Sequence, residues 1–198
     1  MSKLLQDAVN QLATLPGIGR RTALRLAMHM LRLDTQAVLD MTASIERFRT
    51  GIKYCSCCNN IADTDICPVC ADATRDKSTI CVVEQVADLM SIENTHQYRG
   101  TYHVLGGVIS PMQGIAPSDL KIDMLVERIE RGGINEVILA ISTSVEGETT
   151  LFYIMNRLRR FPNLKVTAIA RGIGFGDEIE YVDELTITHA LMNRREIE

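Results

Sequence analysis

Cys55, Cys58, Cys67 and Cys70 form two CxxC pairs with eight residues between them. A CxxC turn aims two thiolates at one point, and two such turns complete the tetrahedral four-sulfur shell that zinc prefers. Four thiolates leave a metal no open position for water or substrate, so the chemistry implied is a structural fastener. Cys57 is the spare thiol. A register with Cys57 in place of Cys58 gives CxC, a poorer chelate turn. A reduced, metal-free loop is the plainer alternative. Cys81 lies beside Val82 and Val83 and reads as a small core residue. Six cysteines in a chain without a signal-peptide pattern point to a reducing compartment, where metal or free thiols outnumber disulfides.

Leu15-Pro16-Gly17-Ile18-Gly19 is a second chemical signal. Set between two short helices, it has the pattern of a helix-hairpin-helix. Gly17 and Gly19 let the backbone approach a ligand without a Cβ in the way. The free N–H groups at the following helix start suit a phosphate. Arg20, Arg21 and Arg25 stand at that start, with Arg21 and Arg25 one turn apart. Such contacts hold a DNA backbone without reading its sequence. The alternative is a hairpin whose glycines only cap helices.

The third signal is a set of acids. Glu84 follows one apolar strand, and Ser142-Thr-Ser144-Val-Glu146-Gly-Glu148 follows another. Ligands of an open parallel sheet collect at the carboxyl ends of its strands. Glu84, Glu146 and Glu148 either hold a metal weakly or favour the positive end of the next helix. His29, His96, His103 and His189 are scattered, and no Ser/His/Asp or Cys/His set emerges.

The elements that must place these groups are legible. The chain has 198 residues, 46% hydrophobic and 23% charged, ordinary for a globular protein. There is no Trp, so base stacking is not the main binding mode. No apolar run approaches the ~18–20 residues that span a bilayer, and a cytoplasmic protein with no membrane partner is expected. The net charge of −4 is uneven: residues 1–53 hold eight Lys/Arg against four acids. A basic block on an acidic protein hints at a polyanion partner on one face, although surface scatter would look the same. Helices are predicted over 3–13, 20–31 and 35–52, the last capped by Asp34. Strands are predicted at Ile80–Glu84, Tyr102–Leu105, Val137–Ile141 and Val166–Ala170, the last followed by Arg171-Gly172. Between them lie a Gly/Pro-rich loop from Gly106 to Pro117 and helices over 118–131 and 146–160. The alternation predicts an α/β fold with a parallel sheet covered on both faces.

The α/β part resembles the Toprim domain of topoisomerases and primases, where a glutamate after the first strand and a DxD loop ending in EGE hold magnesium. Here Ser142 and Ser144 stand at the aspartate positions, and hydroxyls are weak magnesium ligands. In order, the modules resemble the RecR family of bacterial recombination mediators. The likeness extends to Arg75-Asp76, Tyr98-Arg99-Gly100, Tyr102 to Gly107, Ser110-Pro111, Val145 to Glu148 and Glu180 to Glu184. It implies a helix-hairpin-helix DNA-binding region over 1–53, a four-cysteine zinc finger over 54–72, a Toprim domain over 78–172 and a C-terminal oligomerisation segment over 173–198. The Glu180–Glu184 stretch resembles the family's Walker B-like segment; no GxxxxGK[ST] accompanies it.

The same likeness implies a non-enzymatic clamp, a homotetrameric ring associated with the bacterial nucleoid. It would act with RecO and RecF to help load RecA on gapped or single-stranded DNA, and would bind single- and double-stranded DNA. The family's basic DNA contacts map onto Arg21 and Arg25. The acids Glu84, Glu146 and Glu148 then form a partner-binding cluster. The alternative is a Toprim-type metal-dependent phosphoryl transferase using those same acids.

Overall fold

Helix α1 (Lys3–Leu12) lays Val9 against Ala23 and Ala27 of α2 (Arg20–Met30), with Leu5, Leu12, Ala13 and Ile18 closing the edges. Two alanines let the helices approach closely, but so few buried methylenes contribute only a few kcal/mol at about 0.8 kcal/mol each. Asp34 caps α3 (Thr35–Gly51) by accepting from Gln36 N–H, as the sequence predicts. None of the residues of α3 is buried, and Leu39, Ile45 and Phe48 face outward. These helices make up one unit, Met1–Ile52; Lys53–Glu198 is the other. The structure is a computed structural model that describes residues 2–170, 172–174 and 176–194.

The second unit opens with a small hairpin, β1 (Lys53–Tyr54) antiparallel to β2 (Ile61–Ala62), followed by the short helix α4 (Pro68–Ala71). Then come β3 (Thr79–Val83), α5 (Val86–Glu93), β4 (Thr101–Val104), α6 (Ile122–Glu130), β5 (Glu136–Ala140), α7 (Val145–Leu158), β6 (Lys165–Ala168) and α8 (Glu184–Met192). The four main strands form a wholly parallel sheet in the order β4-β3-β5-β6. Alternation along the strands divides the core. Ile80, Val82, Val137 and Leu139 face α6 and α7, where Ile122, Leu125, Val126, Ile154 and Leu158 are buried. Cys81, Val83, Tyr102, Val104 and Ala140 face the other way, onto Leu89 of α5. The predicted α/β sheet with both faces covered is what forms.

Three hydrogen bonds tie β4 in place. Arg128 on α6 donates to Tyr102 C=O at 2.7 Å and to Thr101 Oγ1 at 2.7 Å. His103 is buried, and its Nε2–H donates to Lys121 C=O at 2.7 Å. Burial pulls the His103 imidazole down to about 4, so it is neutral in the fold.

Several boundaries differ from the sequence reading. The helix predicted from Ser118 starts at Ile122. Residues Pro117–Asp119 form a 3-10 turn, in which Asp119 accepts from Ala116 N–H, and Leu120 is extended. Helix α5 was not predicted; Asp88 of its first turn reaches back to accept from Gln85 N–H at 2.8 Å. Helix α8 was not predicted either. Asp183 starts it, accepting from Thr186 N–H and Oγ1–H, so this acid of the Glu180–Glu184 stretch serves as a helix cap. Arg171 lies outside the described residues. No helix among the described residues is long and apolar enough to cross a membrane.

Candidate metal centre and nucleic-acid interface

The four cysteines of the doubled CxxC converge. Their sulfurs all lie within 4.8 Å of one another, and Cys58 and Cys67 are 3.5 Å apart. Zn–S bonds of about 2.3 Å set tetrahedral sulfurs about 3.8 Å apart, so the spacing fits zinc. Local backbone explains the convergence. Asn60 C=O accepts from Cys55 N–H and Cys55 C=O accepts from Asn59 N–H, closing the first knuckle. Pro68 starts α4, and Cys67 Sγ accepts from Cys70 N–H at 3.4 Å, closing the second. Cys67 N–H in turn donates to Cys55 Sγ at 3.3 Å.

The electrostatics call for a cation. Hydrogen bonds from Cys58 and Cys70 pull the Cys67 thiol well below the usual thiol range. The Cys58 thiol is pushed up, first by Cys67, and the Cys70 thiol is pushed up by Cys57, Cys58 and Cys67. Thiols this close cannot all ionise unless a divalent ion neutralises them. Among the described residues no other group of three or more His, Cys, Asp or Glu side chains gathers this tightly. Cys57 is half-buried and packs against the set from outside. Burial alone pushes the Cys81 thiol up to about 12, as befits a core residue.

The turn at Pro16 also takes the predicted form. Gly17 has φ +78, and a Cβ at Gly17 or Gly19 would meet nothing within 4 Å, so the backbone lies open. Gly19 is the N-cap of α2. No side chain caps that end, and its first turn holds no acid. Arg20, Arg21 and Arg25 are exposed, and a shallow cleft of about 350 Å³ is lined by Arg21, Thr22 and Arg25. Unopposed N–H groups, a helix dipole and exposed guanidinium groups together favour an anion.

The acids share the carboxyl edge of the sheet. Glu84, just after β3, accepts from Ser142 N–H through Oε1 at 2.5 Å. Ser142 and Ser144 hydroxyls are 2.9 Å apart, and Ser144 Oγ accepts from Gly147 N–H at 3.0 Å as the cap of α7. Glu146 and Glu148 sit in the first turn of α7, where acids favour the helix dipole. The cap of α7 is thus a serine, with the glutamates beside it. Gly147 is forced: a Cβ there would collide with Ser142 O.

Comparison with known proteins accounts for all four parts. The chain matches the family models for the RecR helix-hairpin-helix (residues 5–48), the RecR four-cysteine zinc finger domain (52–72), the Toprim domain (78–170) and the RecR C-terminal region (172–195). Similar curated proteins are named Recombination protein RecR. The one from Porphyromonas gingivalis is 54% identical over 98% of this chain and 93% of its own length. That from Bacteroides thetaiotaomicron is 54% identical over 98% and 94%. That from Flavobacterium johnsoniae is 47% identical over 98% and 93%. The chain belongs to the RecR family. The family's four-cysteine finger and the converged sulfurs agree on structural zinc.

The sequence reading passed over Asn59. This residue is buried at φ +60, in the left-handed region that asparagine tolerates better than most residues. Its Nδ2 donates to Val104 C=O at 2.9 Å. An Asn directly after a ligand-pattern cysteine was the available signal. The partner on β4, 45 residues away, was not readable.

Proposed function

We propose that this RecR-family chain is a non-enzymatic DNA clamp of recombination and repair. It works with RecO and RecF to help load RecA onto gapped or single-stranded DNA, as a tetrameric ring in the bacterial cytoplasm. The observation that carries the reading is the α2 start: a helix without a capping side chain, opened by Gly17 and Gly19 and flanked by Arg20, Arg21 and Arg25. These groups meet phosphates of single- or double-stranded DNA without reading bases. Cys55, Cys58, Cys67 and Cys70 hold the structural zinc. Residues 1–53 bind DNA, 54–72 carry zinc, 78–172 present the acidic edge and 173–198 serve assembly.

Glu84, Glu146 and Glu148 form a docking edge for a basic protein partner such as RecO, since complementary charge sets encounter rate and register. Against a phosphoryl transferase stand Ser142 and Ser144, engaged with each other while Ser144 caps α7. A gel assay with gapped DNA and Mg²⁺ tests the reading. Retarded, uncut DNA supports the clamp. Strand cleavage that disappears in Glu84→Ala would overturn it.

A further inference from the structure

The zinc module reaches beyond its own loop. β4 is an edge strand, and its last residue, Val104, is buried. Its outward main-chain groups would be orphaned if nothing covered them, a costly state for buried backbone. The knuckle covers both. Cys58 C=O accepts from Val104 N–H at 2.8 Å, and Asn59 Nδ2–H donates to Val104 C=O at 2.9 Å.

The chain of bonds continues from that point. Leu105 N–H donates to Val83 C=O and Gly106 N–H to Glu84 C=O, each at 2.9 Å. Glu84 Oε1 then accepts from Ser142 N–H. Each link is adjacent in sequence to the next, or hydrogen-bonded to it. Two backbone conformations make the path possible. Asn59 holds φ +60, and Gly106 holds φ +91, with Asn59 Nδ2 only 3.9 Å from where a Cβ would stand. Gly106 is thus bonded to the Glu84 carbonyl and lies beside the asparagine that caps β4.

We propose that Asn59 is a positioning residue for Glu84, so that the zinc knuckle sets the geometry of the acidic edge. Asn59 fastens the end of β4, the end of β4 fixes Gly106, and Gly106 holds the Glu84 backbone whose carboxylate tethers Ser142 at the foot of α7. For the partner edge, the inference rests on the docking reading given above. The geometric part stands without it.

Asn59→Gly isolates the contact, because glycine takes φ +60 freely while the amide bond to Val104 is lost. Hydrogen exchange of the full-length, zinc-loaded protein is the readout, alongside zinc content. Zinc should stay at one per chain. Exchange should quicken roughly three- to tenfold at Val104, Gly106 and Ser142, the range expected for one lost hydrogen bond. Helices α6 and α7 beyond its first turn should not change.

In a Glu84→Ala background, which removes the acceptor of Ser142 N–H, Asn59→Gly should add less at Ser142 than it does alone, since the two act along one path. Unchanged exchange at Ser142 in Asn59→Gly, or full additivity in the double variant, would overturn the proposal. If Asn59→Gly does not fold, Asn59→Asp keeps the left-handed tolerance and removes the donor. It should give the same pattern. Capture of purified RecO separates the two layers. If Glu84→Gln leaves capture intact, the docking reading fails. If Glu84→Gln weakens capture and Asn59→Gly does not, the positioning role fails.

Discussion

Helix α2 starts at Gly19 with no capping side chain and no acid in its first turn, while α7 starts at Ser144, whose hydroxyl caps it, with Glu146 and Glu148 following. Both ends carry the same positive helix dipole. At α7 the protein has answered that charge with its own groups. At α2 it has left the charge open and added Arg21 and Arg25 beside it. One end suits a polyanion from outside, and the other suits a basic surface. The net charge of −4 hides this division, which the two helix starts make plain.

The comparison can be broken or sharpened by substitution. The largest effect is expected at the zinc, on which the acidic edge depends through β4. Cys67→Ser should lose the metal and several kcal/mol of stability, since zinc-finger peptides draw roughly 10–16 kcal/mol from structural zinc. Metal analysis and calorimetry check this, and stoichiometric zinc at wild-type stability would contradict it. Gly19→Asp gives α2 the kind of start that α7 has. Gly19 is extended, with φ −78 and ψ 164, and its Cβ position is open, so the change is tolerated. Stability should hold or rise by a few tenths of a kcal/mol, while DNA affinity in a filter or anisotropy assay falls at least tenfold. Unchanged affinity would remove the α2 start from the interface.

Smaller effects are expected at α7. Glu146→Gln with Glu148→Gln should weaken RecO capture several-fold, mainly by slowing association, and leave DNA affinity unchanged. A loss of DNA binding instead would erase the distinction between the two ends. Ser144→Ala should cost about 1 kcal/mol, the usual worth of a helix cap, in denaturant unfolding. No loss would mean that the cap contributes nothing measurable.

The chemistry was more legible than the scaffold that aims it. Zinc-ligand spacing and the Pro-Gly-Ile-Gly turn are local patterns, so neighbouring residues reported them directly. The strands of the sheet were readable because burial on both faces leaves short apolar runs such as Val137–Ile141. Helix α5 escaped because its eight residues are too few to show a period. The start of α6 was misplaced because Pro117 begins a 3-10 turn that sequence alone cannot tell from a first helical turn. Asn59, Arg128 and His103 were invisible as positioning groups, since each acts on main chain distant in sequence. Long-range hydrogen bonds of this kind leave no local pattern.

The most direct test of the account is the salt dependence of DNA affinity for the wild type and for Arg21→Ala with Arg25→Ala. Zinc content and thermal midpoint are checked in both. Each arginine that neutralises a phosphate contributes about 0.9 to the slope of log K against log salt on duplex DNA. The account predicts that the double variant keeps its zinc and its stability, binds all DNA sequences more weakly, and loses about 2 from that slope. An unchanged slope and affinity in a folded, zinc-loaded double variant would contradict the assignment of α2 as the DNA-binding end.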